Sequence, residues 1–336
     1  MSYSIAVVNL NTLFSNLKLV KNNLNKGVKV CAVVKSNAYG HGLVEVSRAV
    51  ENLTDCYAVS FLEEGICLRI SGITKPILVL LPVKNSDLTI VSRYNLSVAI
   101  SDTRQIEYAI KNRIKLKIHI AVNTGMNRLG IDRLSQLNKI LNLTKNSLAQ
   151  VEGIFSHFYS TEKSDCDKQY KRFLPFVIVA KKYNKKIISH ISASGGCAYP
   201  QYNLDMVRVG ILMYGYFPSD KKFLPVKPCL KIYARKLCDR KQKKGENLLY
   251  GNYNLQTCAN ISIIKYGYAD GGDRTKDIDF NNRCMDLSAV KKCKKYHIVL
   301  DNAETIAKKL GTISYDVLVK YTARCRYRYE NNCRQT

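Results

Sequence analysis

The sequence predicts an α/β protein, a (β/α)8 barrel of the TIM type followed by a smaller, mostly β C-terminal domain. Two observations carry that prediction. Over the first two thirds, about eight short apolar runs alternate with segments whose apolar residues recur at helical spacing, the pattern of parallel strands joined by helices. After Pro225 turns become denser, helical patterns fewer, and runs such as ANISIIKYGY (259–268) have the texture of antiparallel strands. A doubly wound open sheet would share the alternation, but no GxGxxG follows the first strand.

Taken in order, NLNTLFSNLKLVKNNL (9–24) puts Leu13, Leu17, Val20 and Leu24 on one helical face, with Gly27 as the stop. VKVCAVV (28–34) reads as the first buried strand. The further strands expected are CYAVS (56–60), PILVLL (76–81), LSVAI (96–100), LKIHIAV (116–122), VEGIF (151–155), KIISHI (186–191) and MVRVGIL (206–212). DRLSQLNKILNLT and KQYKRFLPFVIVAKKY have helical period between them. The domain boundary falls near 220–228, giving a barrel over 8–222 and a β-rich domain over 223–336, the latter joined by an N-terminal strand at 1–7.

Composition narrows the class. A chain of 336 residues with 46% apolar content holds one large barrel and a smaller unit. No run is long enough to span a membrane, and MSYSIAVVNLNTLF lacks the basic start and long apolar stretch of a secretory signal. A cytoplasmic protein is expected. Its twelve cysteines are scattered, with no CxxC and no HExxH, so reduced thiols and no metal site are expected. The formal charge of +27 lies in short clusters such as RKLCDRKQKK (235–244) and KKCKK (291–295) rather than in one stripe. No nucleic-acid or membrane partner is expected, but the charge suits anionic small ligands, phosphates included.

One stretch concentrates the chemistry. In AVVKSNAYGHG (32–42), Lys35 ends the first barrel strand, at the face where loops converge. An isolated lysine there more often snorkels into solvent. A partly desolvated one has a depressed pKa and attacks a carbonyl, forming a Schiff base. ASGG (193–196) and RVGI (208–211) follow later strands, offering small residues, backbone N–H groups and the Ser194 hydroxyl to a phosphate. An amine and a phosphate cradle on one mouth suggest pyridoxal 5'-phosphate.

AVVKSNAYGHG closely resembles the pyridoxal-phosphate lysine motif of bacterial alanine racemases, and the resemblance extends along nearly the whole chain. VNTGMNRLG (122–130), VEGIFSHF (151–158), DMVRVGILMYG (205–215), YG (250–251), GYADG (267–271), CMD (284–286) and GTISYDVL (311–318) follow in the family's order. The resemblance implies a PLP-dependent isomerase that interconverts L- and D-alanine, supplies D-alanine for peptidoglycan, and works as a homodimer with composite active sites.

By the same resemblance, Lys35 and Tyr250 are the two acid/base groups, on opposite faces of the substrate's α-carbon, with Tyr250 coming from the partner subunit. A free tyrosine has a pKa of about 10, so a cationic network must tune Tyr250. His157 and Arg208 match the positions linking it to the cofactor's pyridine nitrogen. Arginine only donates, so Arg208 would keep that nitrogen unprotonated and weaken the ring as an electron sink. Tyr39, Ser194, Gly210, Ile211 and Tyr315 match phosphate-contacting positions. Arg128 matches the arginine facing the cofactor's phenolic oxygen and the substrate carboxylate. Met285 and Asp286 match residues lining the substrate pocket from the second subunit, and Tyr268, Asp270 and Arg274 the entrance corridor.

The chain also departs from the family. Ala121 stands where a carbamylated lysine often steadies the arginine, and Asn123 where aspartate is common. An anion such as chloride is expected beside Arg128 and Asn123 instead. Residues 287–300 are short and very basic, which puts the outer strands in question. No role follows for His119, His190 or His297, and a loop hydrogen bond is expected of His41. Two other readings stay open: a racemase for serine or another amino acid, and a non-catalytic PLP carrier. The carrier would leave residues beyond about 225 without a use.

Overall fold

The computed structural model describes residues 4–145, 147–250, 256–274 and 283–331. Strand β1 (Ser4–Asn9) leads into the helix Leu10–Asn22, which the Asn9 side chain caps by accepting from Thr12 N–H at 2.8 Å. That helix buries Leu10, Leu13, Leu17 and Val20. It stops at Asn22, ahead of Gly27, whose φ of +87° serves the turn beyond.

All eight expected barrel strands form: β2 (Lys29–Val33), β3 (Cys56–Val59), β4 (Ile77–Val79), β5 (Ser97–Ile100), β6 (Leu116–Ala121), β7 (Ala149–Phe155), β8 (Ile188–His190) and β9 (Met206–Val209). They pair in parallel in the order β8-β7-β6-β5-β4-β3-β2-β9. The seam between β8 and β9 closes through an Ala193–Arg208 bridge, with Asp205 N–H donating to Ser189 O and Arg208 N–H to Ser192 O. Both faces of these strands are covered, so they read as unbroken apolar runs rather than alternating ones.

In the second sheet β1 lies one strand in from the edge, beside the central strand β10 (Leu230–Gln242). It pairs antiparallel with β10 and parallel with β14 (Arg326–Glu330). Strands β11 (Ala259–Ile264), β12 (Ser288–Lys291) and β13 (Tyr296–Leu300) complete it, so the short basic stretch 287–300 still builds two strands. The helices Ala303–Leu310 and Ser314–Tyr321 pack beside it.

After β2 the chain does something the sequence did not announce. Ser36, Asn37, Ala38 and Tyr39 all adopt φ between 51° and 54°, one turn of left-handed helix made of L-residues. Each such residue costs about 1–2 kcal/mol, so neighbours must hold the turn. Ser36 N–H donates to Glu64 Oε1, and the Asn37 side chain accepts from Leu43 N–H at 2.8 Å while donating to Tyr327 Oη at 3.1 Å. His41, buried, sets Nδ1 at 3.1 Å from Ala38 O and 3.0 Å from Tyr39 O. The loop hydrogen bond expected of His41 is therefore a clamp on this turn.

Candidate active site

The carboxyl ends of the strands converge on a cavity of about 530 Å³. Lys35 follows β2, Arg128 the loop after β6, His157 the end of β7, and Ser194 the end of β8. Arg208 lies on β9, with Gly210 and Ile211 just beyond it. Tyr39 comes from the left-handed turn and Tyr315 from the helix Ser314–Tyr321. All nine line the cavity.

Arg208 organises the floor. It is almost wholly buried, and both Nη groups are engaged: Nη1 donates to His190 Nδ1 at 2.5 Å and His190 O at 3.3 Å. Nη2 reaches Ser156 O at 2.7 Å, His157 Nδ1 at 3.1 Å and Ile191 O at 3.2 Å. Among the described residues Nε–H is left for an occupant of the cavity. Burial lowers the Arg208 pKa to about 10, still charged at neutrality.

His157 is itself held neutral beside the cationic Arg208. Burial, then Arg208, Arg128 and Lys35, push it down to about 3. It is neutral, accepts from Arg208 on Nδ1, and therefore carries its proton on Nε2. Lys35 is depressed by burial and by Arg128 and Arg208, with Glu64 opposing.

The phosphate-type positions form an array of hydroxyls. Burial pushes Tyr39 up and Tyr315 up to about 12, so both keep their protons and can donate. The two rings sit 5.6 Å apart, and Tyr39 packs on Tyr214 at 4.9 Å. Gly210 N–H, expected to be free, donates to Ser194 Oγ at 3.0 Å, with Leu212 N–H at 3.4 Å. The Ser194 hydroxyl proton is thereby left as a donor. A Cβ on Gly210 would lie 2.8 Å from Tyr39 Oη, so only glycine keeps this side open.

Tyr250, Met285 and Asp286 do not line this cavity. They form a separate group on the β domain with the expected corridor residues. Ala269 N–H donates to Met285 O at 2.9 Å and Tyr268 N–H to Cys284 O at 3.1 Å, while the Tyr250 backbone lies against the Cys284 thiol. Asp270 caps the turn through Gly267 N–H at 2.8 Å, and Arg324 Nη1 holds Asp286 at 3.1 Å. Arg274 is exposed nearby in sequence. Tyr250 is 74% exposed and Met285 55%.

The anion expected beside Arg128 and Asn123 finds no donor on Asn123. Its Nδ2 donates to Asn127 Oδ1 at 3.0 Å and Asp132 Oδ1 at 2.9 Å, and its Oδ1 accepts from Gly125 and Asn127 N–H. Arg128 has no carboxylate partner among the described residues; the gap over Ala121 is about 30 Å³.

Fold and site together define a class: a (β/α)8 barrel with a half-buried lysine between two arginines and a ring of hydroxyls, backed by a β domain. The sequence model "Alanine racemase, N-terminal domain" matches residues 8–218. The chain belongs to the alanine racemase family. It is 32% identical to the alanine racemase of Thermodesulfovibrio yellowstonii over 96% of this chain and 97% of that one. To that of Streptococcus uberis it is 29% identical over 98% of each. Among solved structures, alanine racemase of Clostridium difficile superposes with a TM-score of 0.92 at 30% identity, covering 99% of this chain and 97% of that one. The Bacillus anthracis enzyme with bound L-Ala-P gives 0.91 at 27%, covering 99% and 96%.

Proposed function

We propose that the protein is a PLP-dependent alanine racemase, an isomerase interconverting L- and D-alanine in the cytoplasm and supplying D-alanine for peptidoglycan. It acts as a homodimer whose sites are completed across the interface, with 8–222 as barrel and 223–336 plus the first strand as β domain. The observation that carries the reading is Arg208. Its Nη groups are engaged within the barrel, and its Nε–H is left to the cavity that also holds Lys35.

The residues fit pyridoxal 5'-phosphate. Tyr39, Ser194, Gly210, Ile211 and Tyr315 would hold its phosphate, where the space beside Gly210 admits no Cβ. Lys35 would anchor its carbonyl carbon, and Arg208 would donate to its ring nitrogen. When bound, the cofactor would supply the electron sink that acidifies the amino acid's α C–H. Arg208 cannot give up a proton near neutrality, so it would leave that ring nitrogen unprotonated and limit the sink. Arg128, exposed at the rim, would receive the substrate carboxylate.

Two proton carriers are required, one for each face. Lys35, its pKa depressed, is free to exchange a proton with the α-carbon on its own side. Tyr250 of the partner subunit would serve the other. In this chain Tyr250, Met285 and Tyr268 stand exposed together on the β domain, a cluster suited to burial against a second copy. His157 Nε2–H is the neutral donor that would meet the tyrosine's oxygen.

The test has two parts. Borohydride on protein supplied with pyridoxal phosphate should fix the cofactor to Lys35, and D-amino acid formation should be assayed from each L-amino acid in turn. Tyr250→Phe should lower kcat by about 10²-fold or more while the cofactor still binds. Full activity in that variant, or preference for serine over alanine, would overturn the corresponding part of the proposal.

A further inference from the structure

Behind Arg208 runs a chain of two histidines that the sequence assigned no role. His190 Nδ1 lies 2.5 Å from Arg208 Nη1, and His190 Nε2 lies 2.9 Å from His119 Nδ1. Both rings are buried, His190 stacking on Phe155 at 5.1 Å. Donor chemistry fixes every proton along this path. A guanidinium only donates, so His190 Nδ1 accepts. A neutral imidazole carries one proton, so that of His190 sits on Nε2 and His119 Nδ1 must accept it. Burial and Arg208 keep both histidines neutral. The opposite tautomer of His190 would set N–H against N–H at the arginine and two lone pairs against each other at His119.

The end of the chain is anchored from the far side of the barrel. His119, on β6, borders a second cavity of about 650 Å³ at the amino ends of the strands, shared with Cys56, Ser97, Glu152 and Met206. A Cβ on Gly153 of the neighbouring β7 would overlap the His119 ring, so glycine there gives the ring its place.

We propose that His119 is a positioning residue for racemisation: by accepting the Nε2–H that Arg208 obliges His190 to carry, it supports the tautomer that accepts from Arg208 and so holds the guanidinium with Nε–H left to the cofactor ring. This rests on the function proposed above. Removing the acceptor at 119 leaves His190 Nε2–H buried without its partner, which works against the tautomer that accepts from Arg208. Asparagine, whose Oδ1 falls near the position of a histidine Nδ1, can replace the acceptor; leucine cannot.

The experiment reads the tautomer first. With ¹⁵N-histidine in the wild-type protein, with and without pyridoxal phosphate, long-range ¹H–¹⁵N correlations should show His190 protonated on Nε2 and not on Nδ1. His119→Leu should let the Nδ1-protonated form of His190 appear beside the Nε2 form and lower kcat about 10-fold, with KM changed less than about twofold. His119→Asn should recover both the tautomer and most of kcat. His190 protonated on Nδ1 in the wild type overturns the proposal with no variant needed and leaves the racemase assignment intact. Undiminished kcat in His119→Leu also overturns it. A wild-type protein that racemises no amino acid overturns the assignment as well, and the tautomer measurement separates that failure from the first.

Discussion

At the scale of single residues, the barrel's histidines behave as fixed dipoles rather than as charges. His41 is pushed down to about 4 and His119 and His157 to about 3, all chiefly by burial, and burial pushes His190 in the same direction. Each is neutral when folded and binds a proton below about 6.5 once unfolded. Between those values the unfolded chain holds more protons, so stability falls as pH drops through 6.5 toward 4. The slope at pH 5 should approach ~1.4 kcal/mol per pH unit for each histidine, measured by urea unfolding from pH 8 to pH 5. A flat profile there would contradict the burial of these rings. Lys35 works at the other end: its depressed pKa makes stability rise with pH up to its unfolded value near 10.5.

The sequence could not show this chemistry. A histidine at 119, another at 190 and an arginine at 208 become neighbours only through barrel register, which no local pattern records. Nor could it show that Asn123 is saturated, since Asp132, which takes half of its amide, lies nine residues on in a loop.

At the scale of elements, the eight strands were legible because strands covered on both faces leave unbroken apolar runs. The left-handed turn after β2 was not, because nothing in Ser-Asn-Ala-Tyr favours positive φ enough to announce four such residues together. Tertiary contacts impose it. Gly40, with φ +79°, lets the turn pass against the helix Ser314–Tyr321, where an added Cβ would meet Thr322 Oγ1 and lie 2.6 Å from Leu318 O. Gly40→Ala should destabilise by about 2–4 kcal/mol, from backbone strain and overpacking together. It should also weaken cofactor retention, since Lys35 precedes the turn and Tyr39 is its last residue. Urea unfolding and cofactor titration check the two effects separately.

At the scale of the whole molecule, the separation of Tyr250 from Lys35 is the strongest reason to think in pairs of chains. If each site takes its lysine from one subunit and its tyrosine from the other, mixing two inactive variants should restore activity. Lys35→Ala and Tyr250→Phe, refolded together at equal amounts, should regain about a quarter of wild-type activity, because half the dimers are mixed and each mixed dimer has one intact site. No recovery, with mixed dimers shown to form, would place both residues in one chain's site. The family motifs pointed to this division, while the fold class alone could not, because a barrel is silent on what its partner contributes.

The bracing of the left-handed turn reaches to the last described strand: Asn37 bonds Tyr327, and Gly42 leaves room for the Tyr329 hydroxyl. During synthesis Lys35 is therefore made when about a tenth of these residues have been joined, nearly 300 residues before the struts Tyr327 and Tyr329 that shape its surroundings. A nascent chain paused anywhere before residue 327 carries the lysine without its setting. On the function proposed above, capture of the cofactor's aldehyde in the proper pose would wait until Tyr327 and Tyr329 are in place.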